Sequence, residues 1–296
     1  MRDNRALFAA ENADASRTKD EHDDEDEFKL RNLILITLIR DRWLAQSQKP
    51  RWTSRKIPIG NLSESGPLVR RQADGLILIP CCDCARTLED IRKSKIPTVL
   101  VDRTAANSEF DTISADNVAA AREGCRHLIS LGHRKITLLV SDPNLRNIAE
   151  RIQGCRQAMA EAGLSSFVRV VVGGMTSDQA HDALRRSFLV ADRPSAVFAA
   201  THVMALGALR AIWEAGFALP ETISLIAFDD CEWMTALRPF LSTLRQPIDE
   251  IAQEAWSVLT ERIQGRPIER VNRVFPCTLT IRESTTGVSE ASGFAS

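Results

Sequence analysis

A chain of 296 residues, 44% apolar and 26% charged, is long enough for one large or two modest globular domains with a real core. Its net charge of −1 and pI near 6.5 give no overall basic field for nucleic acid or a membrane surface. No stretch approaches the roughly 20 apolar residues of a membrane span, and the polar start lacks the apolar core of a secretory signal, which points to the cytoplasm and to no membrane partner.

Residues 1–29 include the block "KDEHDDEDE", which repels itself and reads as a disordered acidic tail. "LILITLI" (Leu33 to Ile39) fits a buried strand or part of a helix; periodicity does not separate them. "KPRWTSRK" (Lys49 to Lys56) is basic with one Trp and reads as a solvated linker more readily than as a nucleic-acid contact. Cys81, Cys82 and Cys84 crowd into "IPCCDCAR". No second C-x-x-C or H-x-x-x-H follows at zinc spacing, so a plain loop is expected and no metal. Seven cysteines, an odd number, fit a reducing compartment better than a disulfide framework.

From Gln72 onward the pattern is regular. "DGLILIP" reads as a strand, "TLEDIRKS" as a short helix, "IPTVLVD" as a strand. "DTISAD" leads into the helix "NVAAAREGCRHLISLG", which Asp116 or Asn117 can cap and Gly132 can close. "KITLLVS", "NIAERIQGCRQAMAEAG", "VRVVVGG", "DQAHDALRRSFL", "SAVFAA", "HVMALGALRAIWEAG" and "ISLIAFDD" continue the alternation. A helix over Ile248 to Gln264 and a strand in "RVFPCTLTIRES" follow. Apolar runs alternating with helical patterns are the signature of βαβ units, so the expected class is α/β with two doubly wound parallel-sheet lobes. In such sheets a ligand sits beyond the carboxyl ends of the strands.

The strand exits carry the polar groups. "VLVDR" delivers Asp102 and Arg103, "FAATH" delivers Thr201 and His202, and "AFDDCEW" delivers Asp229, Asp230 and Trp233. Arg151 lies on the helix after "LLVSDPNLRN". Carboxylates, a guanidinium, a hydroxyl and a flat ring suit vicinal hydroxyl groups: carboxylates accept, Arg donates, an indole covers an apolar ring face. Plainer readings stand beside these. Asp230 fits a turn cap, Trp233 fits a core aromatic equally well, and Arg103 fits a pair with a carboxylate across the lobes. His127 and His133 suit a helix end. Met204, Leu206, Leu209, Ile212 and Trp213 read as one helix face packed on a sheet.

The stretches "ADGLILIP", "IPTVLVDR", "SADNVAAAREGCRHLISLGHRKITLL", "RIQGCRQAMAEAGL", "RPSAVFAATHVMALGALRAIWEAGFALPETISLIAFDD", "RPFLSTLRQPIDEIAQEA" and "LTIREST" resemble, in order and spacing, the effector-binding core of the LacI/GalR (lactose-repressor-like) regulators. The resemblance implies a periplasmic-binding-protein-like fold of two lobes, with lobe 1 at 71–133 plus 241–266 and lobe 2 at 134–240 plus 267–285. A tail would occupy 286–296. It implies a small effector (a sugar, sugar acid, polyol or purine) between the lobes, no cofactor, and a dimer that binds and releases a DNA operator. Position by position, Arg151 matches the ligand-gripping arginine of an R-x-x-G pattern, Asp229 the aspartate holding effector hydroxyls, and Asp102 the carboxylate of the first lobe. Thr201-His202 stands where the family usually has Asn-Asp. A cationic His is disfavoured at a helix N-terminus, so His202 is expected neutral if buried. Residues 1–70 show no helix-turn-helix pattern, and 30–70 read as a divergent remnant of a truncated first lobe. Loss of its opening helix implies a weak homodimer or a monomer.

A hydrolytic reading pairs Asp229 or Asp230 with Asp102 as acid and base. Adjacent residues at a strand end point apart, and no G-x-S-x-G or phosphate loop is present. A non-enzyme is expected.

Overall fold

The computed structural model describes residues 33–39, 53–58, 74–80, 85–103, 109–190 and 193–288. The acidic tail, Lys49 to Trp52 and the Cys81, Cys82, Cys84 cluster lie outside the described residues. The chain divides into two compact units, residues 1–98 and 99–296.

In the first unit, β1 (Leu33–Ile39) is a strand, which settles the ambiguity of "LILITLI". It pairs antiparallel with β2 (Thr53–Pro58) and with β3 (Gly75–Ile79), Leu35 facing Lys56 on one side and Ile79 on the other. This differs from the parallel order expected of a remnant of a doubly wound lobe. Helix α1 (Ala85–Ser94) follows and buries Ile91.

The second unit holds most of the architecture. Strands β4 (Thr98–Val101), β5 (Asp111–Ala115) and β11 (Asn272–Phe275) pair in parallel. A second sheet has the order β12-β10-β9-β8-β6-β7. Its members are β6 (Ile136–Val140), β7 (Val168–Val172), β8 (Ala196–Ala199), β9 (Ser224–Phe228), β10 (Ser242–Arg245) and β12 (Thr278–Thr280). Only β12 runs antiparallel to its neighbour among these pairings.

The continuous apolar runs are buried on both faces, as helix-covered parallel strands require. Leu138, Val140, Phe198, Ile226 and Phe228 join a core under α2 (Asn117–Ser130) and α3 (Arg146–Glu161). Leu139, Val197, Ala199, Leu225 and Ala227 join the opposite core under α4 (Ser177–Phe188) and α5 (His202–Glu214). On α5, Met204, Leu209 and Ile212 are buried as expected, but Leu206 and Trp213 are 42% and 48% exposed and face outward.

Strand pairing moves the lobe boundaries. Helix α2, expected in the first lobe, packs on the second sheet, so the chain changes sheets at Asp116 rather than near 133–135. Strand β10 pairs with β9, whereas β11 returns to β5; further exchanges fall after Arg245 and between β11 and β12. Helix α6 (Ile248–Ile263) starts just past the second exchange. An apolar helix face does not say which sheet it covers, which is why periodicity misassigned α2.

Two features lock α2 against α3. A Cβ on Gly154 would stand 2.2 Å from the Val118 carbonyl oxygen, so only glycine allows this approach. Beside it, Cys125 and Cys155 form a disulfide with Cα atoms 5.5 Å apart, against the expectation of reduced cysteines. Asp116 caps α2 through its Oδ1, which accepts from Ala119 N at 2.9 Å.

The expected tail at 286–296 begins as a strap. Thr286 N donates to Ser224 Oγ, Val288 N donates to the Leu131 carbonyl, and the Thr286 carbonyl meets His133 Nε2 at 3.0 Å. His127 meets Thr285. The two histidines therefore hold the strap. Burial keeps both rings below the usual imidazole range.

Candidate functional site

A cleft of about 1000 Å³ lies within the second unit, at the carboxyl ends of β4, β6, β8 and β9. It collects Asp102, Arg103, Asn147, Arg151, Thr201, His202, Asp229, Asp230, Gln246 and Arg282. Trp233 does not line it. The short 3-10 turn Glu232–Thr235 carries the indole onto the core under α5, so the aromatic-cover role is corrected to core packing.

Arg151 is 2% exposed and held on three sides. Its Nε donates to Asn117 Oδ1 at 2.9 Å, an Nη donates to the Ala200 carbonyl at 2.6 Å, and its guanidinium lies 3.5 Å from the centroid of the Phe228 ring. Burial lowers its pKa, opposed by the charges of Asp229 and Asp102.

Both cleft aspartates sit in the left-handed region, Asp102 at φ 61° and Asp229 at φ 74°. That conformation costs a non-glycine residue on the order of 1–3 kcal/mol, though aspartate tolerates it better than most, and such strain gathers at ligand sites. Asp102 accepts from Asn147 Nδ2 at 3.2 and 3.3 Å, which links the β4 exit to α3. Burial pushes its carboxyl up, against the pull of Arg151 and Arg103. Arg103 turns to this adjacent carboxylate, its Nε 3.7 Å from Asp102 Oδ2, instead of pairing across the lobes.

Asp229 is more enclosed than a residue at a wet cleft mouth, its side chain 21% exposed. Gln246 Nε2 donates to its Oδ1 at 2.7 Å. His202 donates to Oδ2 from its backbone N at 3.3 Å and lies 3.2 Å away through Nδ1. Burial pushes the Asp229 carboxyl up, but the His202 bond, Arg151 and Gln246 together hold it below the usual carboxylate range. The hydrogen bond to Asp229 raises His202 despite partial burial. With a side chain 51% exposed and a carboxylate partner, His202 is drawn toward the cation; the neutral form was expected only of a ring buried at the helix start.

Thr201 faces the cleft, but its Oγ1 accepts from Met204 N at 3.2 Å and so caps α5. Asp230 is no simple turn cap: Arg282 grips both its oxygens at 2.8 Å, and this bond holds its carboxyl low. Asn117, Asn147, Gln246 and Arg282 escaped sequence reasoning because each is a solitary polar residue whose partner lies far along the chain. Among the described residues no cluster of His, Cys, Asp and Glu can hold a metal, and no helix is long and apolar enough to cross a membrane.

Two sheets exchanging strands around a cleft, with a buried arginine between two strand-exit aspartates, define a binding protein of the two-lobed kind. Residues 125–285 match the family model of the periplasmic binding protein-like domain. The HTH-type transcriptional repressor CytR of Escherichia coli K12 is 29% identical over 219 residues, covering 74% of this chain and 64% of the relative. The HTH-type transcriptional repressor PurR of Vibrio atlanticus is 31% identical over 222 residues, covering 74% of this chain and 66% of that protein. A LacI family transcriptional regulator from Enterococcus faecium, solved with bound ribose, superposes with a TM-score of 0.69 at 25% identity, covering 75% of this chain and 83% of that one. The chain belongs to the periplasmic-binding-protein-like family. It spans about two-thirds or less of the length of the curated relatives it matches.

Proposed function

We propose that the chain is the effector-binding part of a lactose-repressor-like transcriptional regulator, and not an enzyme. A small hydroxylated effector would occupy the cleft, with Arg151 donating and Asp102 and Asp229 accepting. The observation that carries this reading is Arg151: a guanidinium this deeply buried is costly unless its environment is organised for a polar partner. The relatives named as repressors and the ribose-bound neighbour support the same class of activity. Calorimetry against sugars, sugar acids, polyols and purines tests it. Micromolar binding to at least one class is expected, and failure of every class overturns it.

The second reading is a ligand sensor that does not bind DNA, favoured by the absence of a helix-turn-helix pattern in residues 1–70. Retention of the chain on DNA carrying inverted-repeat operators separates the two. Salt-sensitive, sequence-selective retention supports the regulator; effector binding without retention supports the sensor. For assembly we propose a weak homodimer or a monomer, and a dimer persisting at nanomolar concentration in sedimentation overturns that.

A further inference from the structure

The inner wall of the cleft sets three carboxylates, Asp102, Asp229 and Asp230, against three guanidinium groups, Arg103, Arg151 and Arg282. His202 breaks this balance. Its Nδ1 faces Asp229, and since a carboxylate only accepts, Nδ1 carries a proton. Its Nε2 has no partner among the described residues and belongs to a ring that lines the cleft. Arg103 Nε is buried and makes no hydrogen bond, but it is turned to the Asp102 carboxylate, 3.7 Å from Oδ2. The carboxylates, by contrast, are engaged. Gln246 and His202 take Asp229, Arg282 takes Asp230, and Asn147 takes Asp102. Arg245, Asp249 and Glu250 stand at the exposed rim, where water and salt screen them.

We propose that the cleft selects a hydroxylated ligand bearing an oxyanion, a carboxylate or a phosphate, held by His202 Nε2. This rests on the cleft being the effector site proposed above. An imidazole edge open to the cleft, with Asp229 on the ring's other nitrogen, fits an anion. An aspartate at 202, which the resemblance would lead one to expect, would have made the same wall net negative and repelled it. The groups facing the imidazole are Asp229 from the β9 exit and Arg151 from α3; the carboxylate favours the cation and the guanidinium opposes it, with the carboxylate prevailing. Anion binding is therefore strongest while His202 is protonated and weakens as pH rises through its raised pKa.

The experiment is calorimetry with matched aldoses, aldonates and aldose phosphates, from trioses to hexoses, beside the polyols and purines of the effector panel, at about pH 6 and about pH 8. It uses the wild type, His202→Gln and His202→Asp. In the wild type an aldonate or an aldose phosphate is expected to bind about ten- to a hundredfold more tightly than its matched aldose; for the aldonate, whose charge is constant over this range, the larger preference is expected at the lower pH. Whichever acid wins identifies the source of the oxyanion. His202→Gln, which can still donate to Asp229, is expected to keep the fold and lose the pH dependence; His202→Asp is expected to abolish the preference. Aldoses binding as tightly as their acids at both pH values would overturn this inference and leave the effector reading standing. Binding of purines alone would do the same. No binding by any compound removes the effector reading and this inference with it.

Discussion

Arg151 gives one N–H to Asn117, another to the Ala200 carbonyl and a ring-facing surface to Phe228, so its removal strands several partners at once. Arg151→Met is expected to cost about 3–5 kcal/mol, the loss typical when one member of a buried charged network is deleted. Urea unfolding read by circular dichroism measures it, and a cost near zero would mean water replaces the guanidinium. The His202–Asp229 pair adds a pH dependence whose sign follows from the two shifts. His202 is raised above its ordinary 6.5, so its contribution is complete below that value and fades as pH climbs through the folded pKa. Asp229 is lowered below its ordinary 3.8, so its contribution is present above that value and fades as pH falls through the folded pKa. The melting-temperature gap between wild type and His202→Gln is expected to be widest between these limits and to narrow on both sides. A gap independent of pH would show that the pair contributes nothing through its charges. The sequence made the strand-exit aspartates and Arg151 legible because apolar runs that stop at a charge mark the ends of buried strands. It could not show that both aspartates need positive φ, that Thr201 is spent on a helix cap, or that Asp230 belongs to Arg282, since these depend on tertiary pairing.

Helices α2 and α3 meet at Gly154, and there two effects of opposite sign can be weighed. Replacing a mid-helix glycine with alanine gains about 1 kcal/mol of helix propensity. The new Cβ would stand 2.2 Å from the Val118 carbonyl oxygen, a clash with backbone that cannot rotate away, and such overpacking costs about 1–3 kcal/mol or more. Packing wins, so Gly154→Ala is expected to lower stability in thermal or urea unfolding; a stabilised variant would show that the helices separate freely. The neighbouring Cys125–Cys155 bond closes a loop with a sequence separation of 30, for which chain entropy gives roughly 3–4 kcal/mol. Reductant is expected to lower the melting temperature of the wild type and to leave Cys125→Ser/Cys155→Ser unaffected. At this scale most elements were legible in the sequence, because continuous apolar runs and period-3.6 patterns report burial directly. Which sheet α2 covers was not, since its small-residue face of Ala120, Ala121, Gly124 and Cys125 records only that a neighbour comes close.

Across the second unit, the cleft is lined from both sheets, and one hydrogen-bonded link joins them inside it. Asp102 leaves β4 in one sheet, while Asn147 stands on α3, which packs on the other. Gln246, bonded to Asp229, occupies the segment where the chain passes from β10 to α6. Ligand groups touching Asp102 and Asp229 would therefore bear on a cross-cleft contact and on a strand-exchange segment together. A rigid pocket has no need of either, whereas a cleft that closes does. The expected outcome is a smaller radius of gyration by solution X-ray scattering when the tightest binder of the sugar and sugar-acid panel saturates the wild type. Asp102→Asn is the informative variant. Asparagine tolerates the same left-handed backbone, so the strand exit survives while the charge facing Asn147 and Arg103 is lost. Its affinity is expected to fall by about tenfold, and the contraction at saturation to shrink. Unchanged scattering of the wild type at full occupancy would mean that the cleft is already closed without ligand, and the coupling through Asp102 and Gln246 would fail with it.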